Sequence, residues 1–279
     1  MQILCCDDNF EDWRQQARQL LSQGVPPHEV VWEDAAHRQL LAAEPVSAGD
    51  TSALAAPTRI PAQLLEELKV AARYRMAGRW NLLYRILWRV ARGERQAMLA
   101  GDVDGSELQR RIKAVSREAH HLHAFVRFHP LPSHAELDYV AWHEPAHDIL
   151  ASASLHFAER LGRQRWLIAS SRDAVWYDGQ RLEYRASCPA DWATLAQAGR
   201  EQHDPLWQSY YSSIFNPARL NPKVMQGHMP LRFWAGLPEG PLIPLLLSKA
   251  RAGAQRNGQA QAVAERAGKV IRWEKSRTE

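Results

Sequence analysis

Cysteine is scarce: Cys5, Cys6 and Cys188 are the whole set in 279 residues. Vicinal Cys5 and Cys6 rarely pair with each other, and no Cys-x-x-Cys occurs. The sequence therefore speaks against a disulfide framework, a structural zinc knuckle and a cysteine-ligated iron–sulfur cluster. Long apolar runs are also missing. The most apolar stretch, Pro241-Leu-Ile-Pro-Leu-Leu-Leu247, falls far short of the roughly 20 residues of a membrane-spanning helix. The first residues, Met1 to Asp8, lack the positive region and long apolar region of a signal peptide, so a cytoplasmic location and no membrane partner are expected. Glycine-rich phosphate loops of the P-loop or dinucleotide type are absent, and no cofactor is expected.

What is present is the composition of a globular protein, with 46% hydrophobic and 24% charged residues. The net charge of +4 and pI of about 9.1 are mildly basic. Charge distribution says more. Residues 1–58 carry about −6, residues 59–127 about +7, residues 128–205 about −4 and residues 206–279 about +7. Such alternation suggests two basic surfaces that folding can join; ordinary variation explains it equally well.

Hydrophobic spacing predicts a helix over residues 8–23, ended by Gly24 and Pro26. The Ala-, Ser-, Gly- and Pro-rich run 44–58 reads as a linker, which sets off an N-terminal helical piece (1–43) from a main domain (59–255) and a basic C-terminal tail (256–279). Residues 61–93 read as helical with a break at Gly78, burying Leu82, Leu83, Ile86, Leu87 and Val90. Ser106-Glu-Leu-Gln109 has the form of a capping box. Leu108, Ile112, Val115, Ala119 and Leu122 follow it at core spacing. The period then changes. Residues 124–128, 137–142, 165–170, 174–177 and 180–185 read as strands, the last two joined by Asp178-Gly179 as a hairpin turn. Residues 145–161 read as one helix, and helices resume after Pro189. The expected fold class is α+β: a small, mostly antiparallel sheet with helices on either side of it in sequence.

Three segments invite a chemical reading. His143-Glu-Pro-Ala-His147 has the letters of the H-E-x-x-H zinc motif, which requires both imidazoles on one helical face. Pro145 opposes that helix and no third ligand follows at a suitable spacing, so a turn at a helix start, with no metal, is the favoured reading. Glu144, His147 and Asp148 remain acid–base candidates if the protein is an enzyme acting on nucleic acid. His129-Pro-Leu-Pro132 resembles the His-Pro-Ser-Pro segment of uracil-DNA glycosylases. The water-activating loop those enzymes need is absent, and a loop after a strand explains it better.

Residues 73–127 interleave Arg73, Arg75, Arg79, Arg85, Arg89 and Arg92 with Tyr74, Trp80, Tyr84 and Trp88, and the helix that follows carries Arg110, Arg111, Lys113, Arg117, His120 and His121 on its other faces. Arginine gives salt-sensitive phosphate contacts, and Arg85, Arg89, Arg92, Arg110, Arg111, Arg117 and Arg127 are the candidates. For the aromatics, a place in the core competes with base stacking and is slightly preferred. Farther on, Tyr211, Asn216 and Arg219 lie in Tyr210-Tyr-Ser-Ser-Ile-Phe-Asn-Pro-Ala-Arg219. That composition suits a phosphate-binding helix start and equally a capped helix–helix junction with Phe215 in the core.

Several stretches together resemble an uncharacterised bacterial family labelled "probable DNA metabolism protein". They are Leu83-Tyr-Arg-Ile-Leu-Trp-Arg89, His123-Ala-Phe-Val-Arg-Phe128, Val140-Ala-Trp-His-Glu-Pro-Ala-His-Asp148, Tyr211-Ser-Ser-Ile-Phe-Asn-Pro-Ala-Arg219, and Met229-Pro with Phe233-Trp-Ala-Gly-Leu-Pro-Glu239. The resemblance spans roughly residues 60–255. It implies a domain found beside or fused to uracil-DNA-glycosylase-superfamily domains and linked to a radical-SAM protein assigned to DNA repair. This chain is not itself expected to be a radical-SAM enzyme, and, ending at Glu279, is not expected to carry a fused glycosylase domain. It departs from the family pattern at His143, where an aromatic is usual, at His121-Leu122, where Lys-Met is usual, and near Ala169-Ser170, where Thr-Pro is usual. The leading expectation is a DNA-binding accessory of base repair or modification with a glycosylase-like or radical-SAM partner. A nucleic-acid-processing enzyme and a protein-interaction module are the alternatives.

Overall fold

A computed structural model describes residues 2–6, 9–34, 59–132, 134, 136–217, 221–234 and 236–251. It divides into two compact units, Met1–Ala196 and Gln197–Glu279.

The first unit opens with β1 (Gln2–Cys6), α1 (Phe10–Ser22) and β2 (Val30–Asp34), the two strands pairing in parallel from Gln2↔Val30 to Cys6↔Asp34. Asn9 caps α1 by accepting from the Glu11 amide. Trp13, Ala17 and Leu20 form its buried stripe. The helix was legible from spacing, whereas the strands were not: two five-residue runs 23 residues apart give no alternation to read.

Three helices follow: α2 (Ala62–Ala71), α3 (Arg79–Ala91) and α4 (Val103–Phe125). Gly78 sits before α3 at φ +68, a left-handed backbone that glycine adopts without strain, which is why the helical run breaks there. The buried stripe Leu82, Leu83, Ile86, Leu87 and Val90 is as the spacing predicts. The α4 start corrects the capping-box reading. Asp102 is the N-cap, accepting from the amides of Asp104 and Gly105, so Ser106 already lies one turn inside. α4 also runs on to Phe125, which replaces the strand expected at 124–128 with the end of a helix. Only His129–Pro130 pairs as a strand, β3.

A five-stranded sheet follows in the order β3-β4-β5-β6-β7, with β4 (Tyr139–Trp142), β5 (Trp166–Ala169), β6 (Ala174–Tyr177) and β7 (Leu182–Arg185). β4 and β5 are parallel and the other pairings antiparallel. The parallel step is bridged by α5 (Leu150–Ala153) and α6 (Leu155–Leu161), with residues 143–149 forming a loop, so the single helix expected at 145–161 is two short ones behind a loop. Pro145 explains the late start. The Asp178-Gly179 turn is as expected: Gly179 has φ +93 and the Asp178 carboxylate accepts from the Gln180 and Arg181 amides. The fold is α+β.

Alternation divides the sheet between two cores. Ala141, Trp166, Ile168, Val175 and Tyr177 pack with Val115 and Leu122 of α4, Leu150 and Ala153 of α5 and Phe157 of α6. Val140, Leu167, Ala169, Ala174 and Trp176 face the first turns of α7 (Ala190–Ile214) through Trp192, Leu195 and Ala196. A third core joins Trp13, Trp32, Leu64, Leu68, Trp80, Leu83, Tyr84 and Leu108. α4 thus contributes Leu108 and Ile112 to one core and Val115, Ala119 and Leu122 to another.

The second unit contains the rest of α7, then α8 (Pro222–His228), α9 (Leu231–Trp234) and α10 (Leu242–Arg251). Asn221 caps α8 by accepting from the Val224 amide, with Pro222 in the first turn. Phe233, Leu237, Ile243 and Leu247 are buried. No helix among the described residues is long and apolar enough to cross a membrane.

Candidate nucleic-acid interface

While one face of α4 is core, the opposite face carries Ser106, Arg110, Lys113, Arg117, His120 and Ala124, all exposed. Spaced three and four apart, they form one ridge. No acidic residue stands on it, and among the described residues Lys113 and Arg117 make no ion pair. Arg110 is held from the side by Glu107, with both nitrogen–oxygen distances 2.6 Å. Arg110, with Arg111 behind it, keeps the Glu107 carboxyl down at about 2.

The ridge continues into the loop that follows β4. Arg110 also donates to the Tyr74 hydroxyl at 3.1 Å, and the Tyr74 ring lies 4.4 Å from that of His147. The loop is pinned from several elements. Arg75 donates to the Pro145 carbonyl and, through Nε, to Asp148, while Arg79 donates to the other Asp148 oxygen at 2.7 Å. The Ala146 amide donates to the buried Glu118 carboxylate at 2.7 Å, and the Asp148 amide to the Arg73 carbonyl at 2.9 Å. Glu144 accepts from the Ser171 amide and hydroxyl at 3.0 and 2.9 Å, tying this loop to the turn after β5. Both loops lie at the carboxyl ends of the parallel pair, the customary place for sites in α/β units.

The three acid–base candidates thus share one loop. Both oxygens of Asp148 are occupied by guanidiniums and both of Glu144 by Ser171, while His147 packs on Tyr74. The H-E-x-x-H letters do not form a helix; His143 is buried at the end of β4 and His147 is in the loop. No group of three or more His, Cys, Asp or Glu is placed to hold a metal among the described residues. This arrangement is suited to holding two loops in register.

The cation candidates divide sharply. Arg85 donates twice to Asp104, and Arg89 reaches Asp102, Asp104 and Glu94. Hydrogen bonding from Arg89 holds the Asp102 carboxyl at about 2. Arg111 is buried against Glu107 and the Arg79 carbonyl. Arg127 donates to the Ala124 and Val126 carbonyls. Arg92 is exposed, its guanidinium 4.3 Å from the Trp88 ring. Tyr211 and Asn216 belong to the second unit, and Arg219 lies outside the described residues. Of the aromatics, Trp80 stacks on Trp13 at 5.7 Å and Tyr84 donates to the Val25 carbonyl, so both are core residues. Arg75 and Arg79 are among the interleaved arginines of the sequence, but they serve the loop through contacts 73 and 69 residues away rather than facing solvent. Lys113, on the outer side of its helix as the spacing has it, is the ridge position between Arg110 and Arg117. Sequence reasoning left out Glu118, whose partner amide is 28 residues away.

The model of one protein family matches residues 77–239, from just before α3 to the segment ahead of α10. That is more than half of the chain. The chain belongs to the DUF4130 family, a domain of unknown function. No curated protein and no solved structure matches it. The α4 ridge and both pinned loops fall inside the DUF4130 segment.

Proposed function

We propose that this protein is a DNA-binding accessory of base repair or modification, and that the α4 ridge is where it meets the phosphate backbone. The observation that supports this reading is the exposed row Arg110, Lys113, Arg117 and His120, in which Arg110 is paired with Glu107 while Lys113 and Arg117 make no ion pair among the described residues. Residues four apart on a helix are about 6 Å apart along the axis, so Arg110, Lys113 and Arg117 offer consecutive cations to a polyanion. Phosphate contacts of this kind give affinity without base specificity. The resemblance to DNA-metabolism proteins supplies the partner class, a glycosylase-superfamily or radical-SAM protein.

The test is fluorescence anisotropy with single-stranded and duplex oligonucleotides across a salt series. Lys113→Ala/Arg117→Ala should weaken binding at all sequences and lower the log–log salt slope by about 2 on duplex DNA. Arg85→Ala, whose guanidinium is already bound to Asp104, should leave that slope unchanged. Absence of DNA affinity at low salt sinks the proposal.

A further inference from the structure

The acidic stretch of the chain contains a cavity unrelated to the α4 ridge. It measures about 400 Å³ and opens on the sheet face covered by the first turns of α7. Leu167 and Leu195 form its apolar lining, Trp176 and Trp192 its aromatic walls, and Glu136 and Asp191 its charged rim. Both carboxylates are exposed residues, and neither takes part in an ion pair among the described residues. Arg165 acts on Glu136 only at longer range, because its guanidinium is bound to Asp138.

His134 also lines the cavity, and its tautomer is set by the backbone. Its Nδ1 accepts from the Glu136 and Leu137 amides at 3.2 and 3.1 Å. An accepting Nδ1 leaves the ring proton on Nε2 and the imidazole neutral. The site therefore carries two negative charges and no fixed positive one.

The indole geometry narrows the ligand. The Trp176 and Trp192 ring centroids are 6.3 Å apart with planes inclined at 56°. A flat base sandwiched between two rings needs them near parallel and farther apart; these two indoles touch each other at an angle and form a corner of the cavity wall, which suits a compact, rounded group. Indole faces attract cations, most strongly when carboxylates add to the field and water is partly excluded. A nucleic-acid strand, by contrast, would bring phosphates against Glu136 and Asp191.

We infer that the Trp176–Trp192 cavity binds a compact organic cation, a methylated or quaternary ammonium group, with Glu136 and Asp191 supplying the countercharge. The probe is choline, titrated into the full chain while the indole N–H resonances are followed, with assignment by Trp176→Phe and Trp192→Phe. Saturable shifts should be confined to these two indoles. The neutral carbon isostere of choline should bind about tenfold more weakly. Glu136→Gln/Asp191→Asn should cost a similar factor with a cooperative unfolding transition retained, since both carboxylates are exposed and Asp191 adds only its charge to the first turn of α7. Equal binding of choline and its isostere would overturn the inference, as would shifts at neither indole or a preference for guanosine over choline. None of these outcomes depends on whether the α4 ridge binds DNA.

Discussion

Arg89 is the most heavily engaged side chain of the basic helices, donating to three carboxylates, Glu94 in the connection after α3 and Asp102 and Asp104 at the start of α4. Its periodicity with Arg85 and Arg92 places it on a solvent-facing side of α3, yet Asp102 and Asp104 at the start of α4 meet it there. Periodicity reports which way a residue points, and only tertiary structure reports what stands opposite. The same holds for Glu107, which binds Arg110 and Arg111. These pairs make a prediction in acid. The Asp102 and Glu107 carboxyls both lie at about 2 in the folded chain, held by Arg89 and Arg110 respectively, against about 4 when unfolded. Below about pH 5 the unfolded chain therefore binds more protons than the folded one. Their contribution is complete above that pH and is lost as pH falls towards 2. Asp102→Asn should be less stable than the parent at pH 7 by urea unfolding, with the gap closing near pH 2. No gap at pH 7 would mean that Asp102 serves only as a helix cap, a role Asn fills about equally well.

At the scale of elements, α4 depends on a close approach at its start. Gly105 is buried in the first turn, and a Cβ built there would lie 2.1 Å from the Leu99 carbonyl oxygen and 2.8 Å from the Leu99 nitrogen. These are backbone atoms and cannot swing aside. In an open helix Gly→Ala gains up to about 1 kcal/mol; here Gly105→Ala should instead cost about 1–3 kcal/mol, the range of overpacking. Gly101→Ala, with nothing within 4 Å of its added Cβ, serves as the control and should stay within about 0.5 kcal/mol. Thermal unfolding of the two variants decides, and a Gly105→Ala protein as stable as the parent refutes the close packing. Elements of this kind were legible wherever the signal was local: the α3 and α4 stripes, the break at Gly78, the Asp178-Gly179 turn. Local signals also misled. Ser106 to Gln109 has cap chemistry, but Asp102 stands four residues earlier and takes the role. Ala124 to Phe128 has strand composition, but the helix carrying it runs to Phe125 before the chain extends. The pinned loop after β4 was legible as a turn and not as a junction, because Arg75 reaches it from the connection between α2 and α3, Arg79 from α3 and Glu118 from α4.

For the whole molecule, the family boundary and the physical boundary differ. The DUF4130 match begins at residue 77, yet the core of α3 is completed by elements before it. Trp13 of α1 stacks on Trp80, Asn81 brackets the Trp32 amide and carbonyl at 3.0 and 3.4 Å, and Tyr84 donates to the Val25 carbonyl. Trp13 and Trp32 are themselves almost wholly buried. Removing such a side chain from a core costs about 3–5 kcal/mol, a large share of the roughly 5–15 kcal/mol that stabilises a domain. A fragment of residues 59–279 would leave Trp80 and Tyr84 facing water and a row of α3 polar groups without partners. It should bind a hydrophobic dye and melt without a cooperative transition. Co-expression with residues 1–34 should restore a single transition, because the lost contacts are noncovalent. Trp13→Ala in the full chain should reproduce part of the defect, lowering stability by about 3–5 kcal/mol. A 59–279 fragment that melts as sharply and as high as the full chain would show that β1, α1 and β2 merely rest on the helices, and that the family segment is a folding unit by itself.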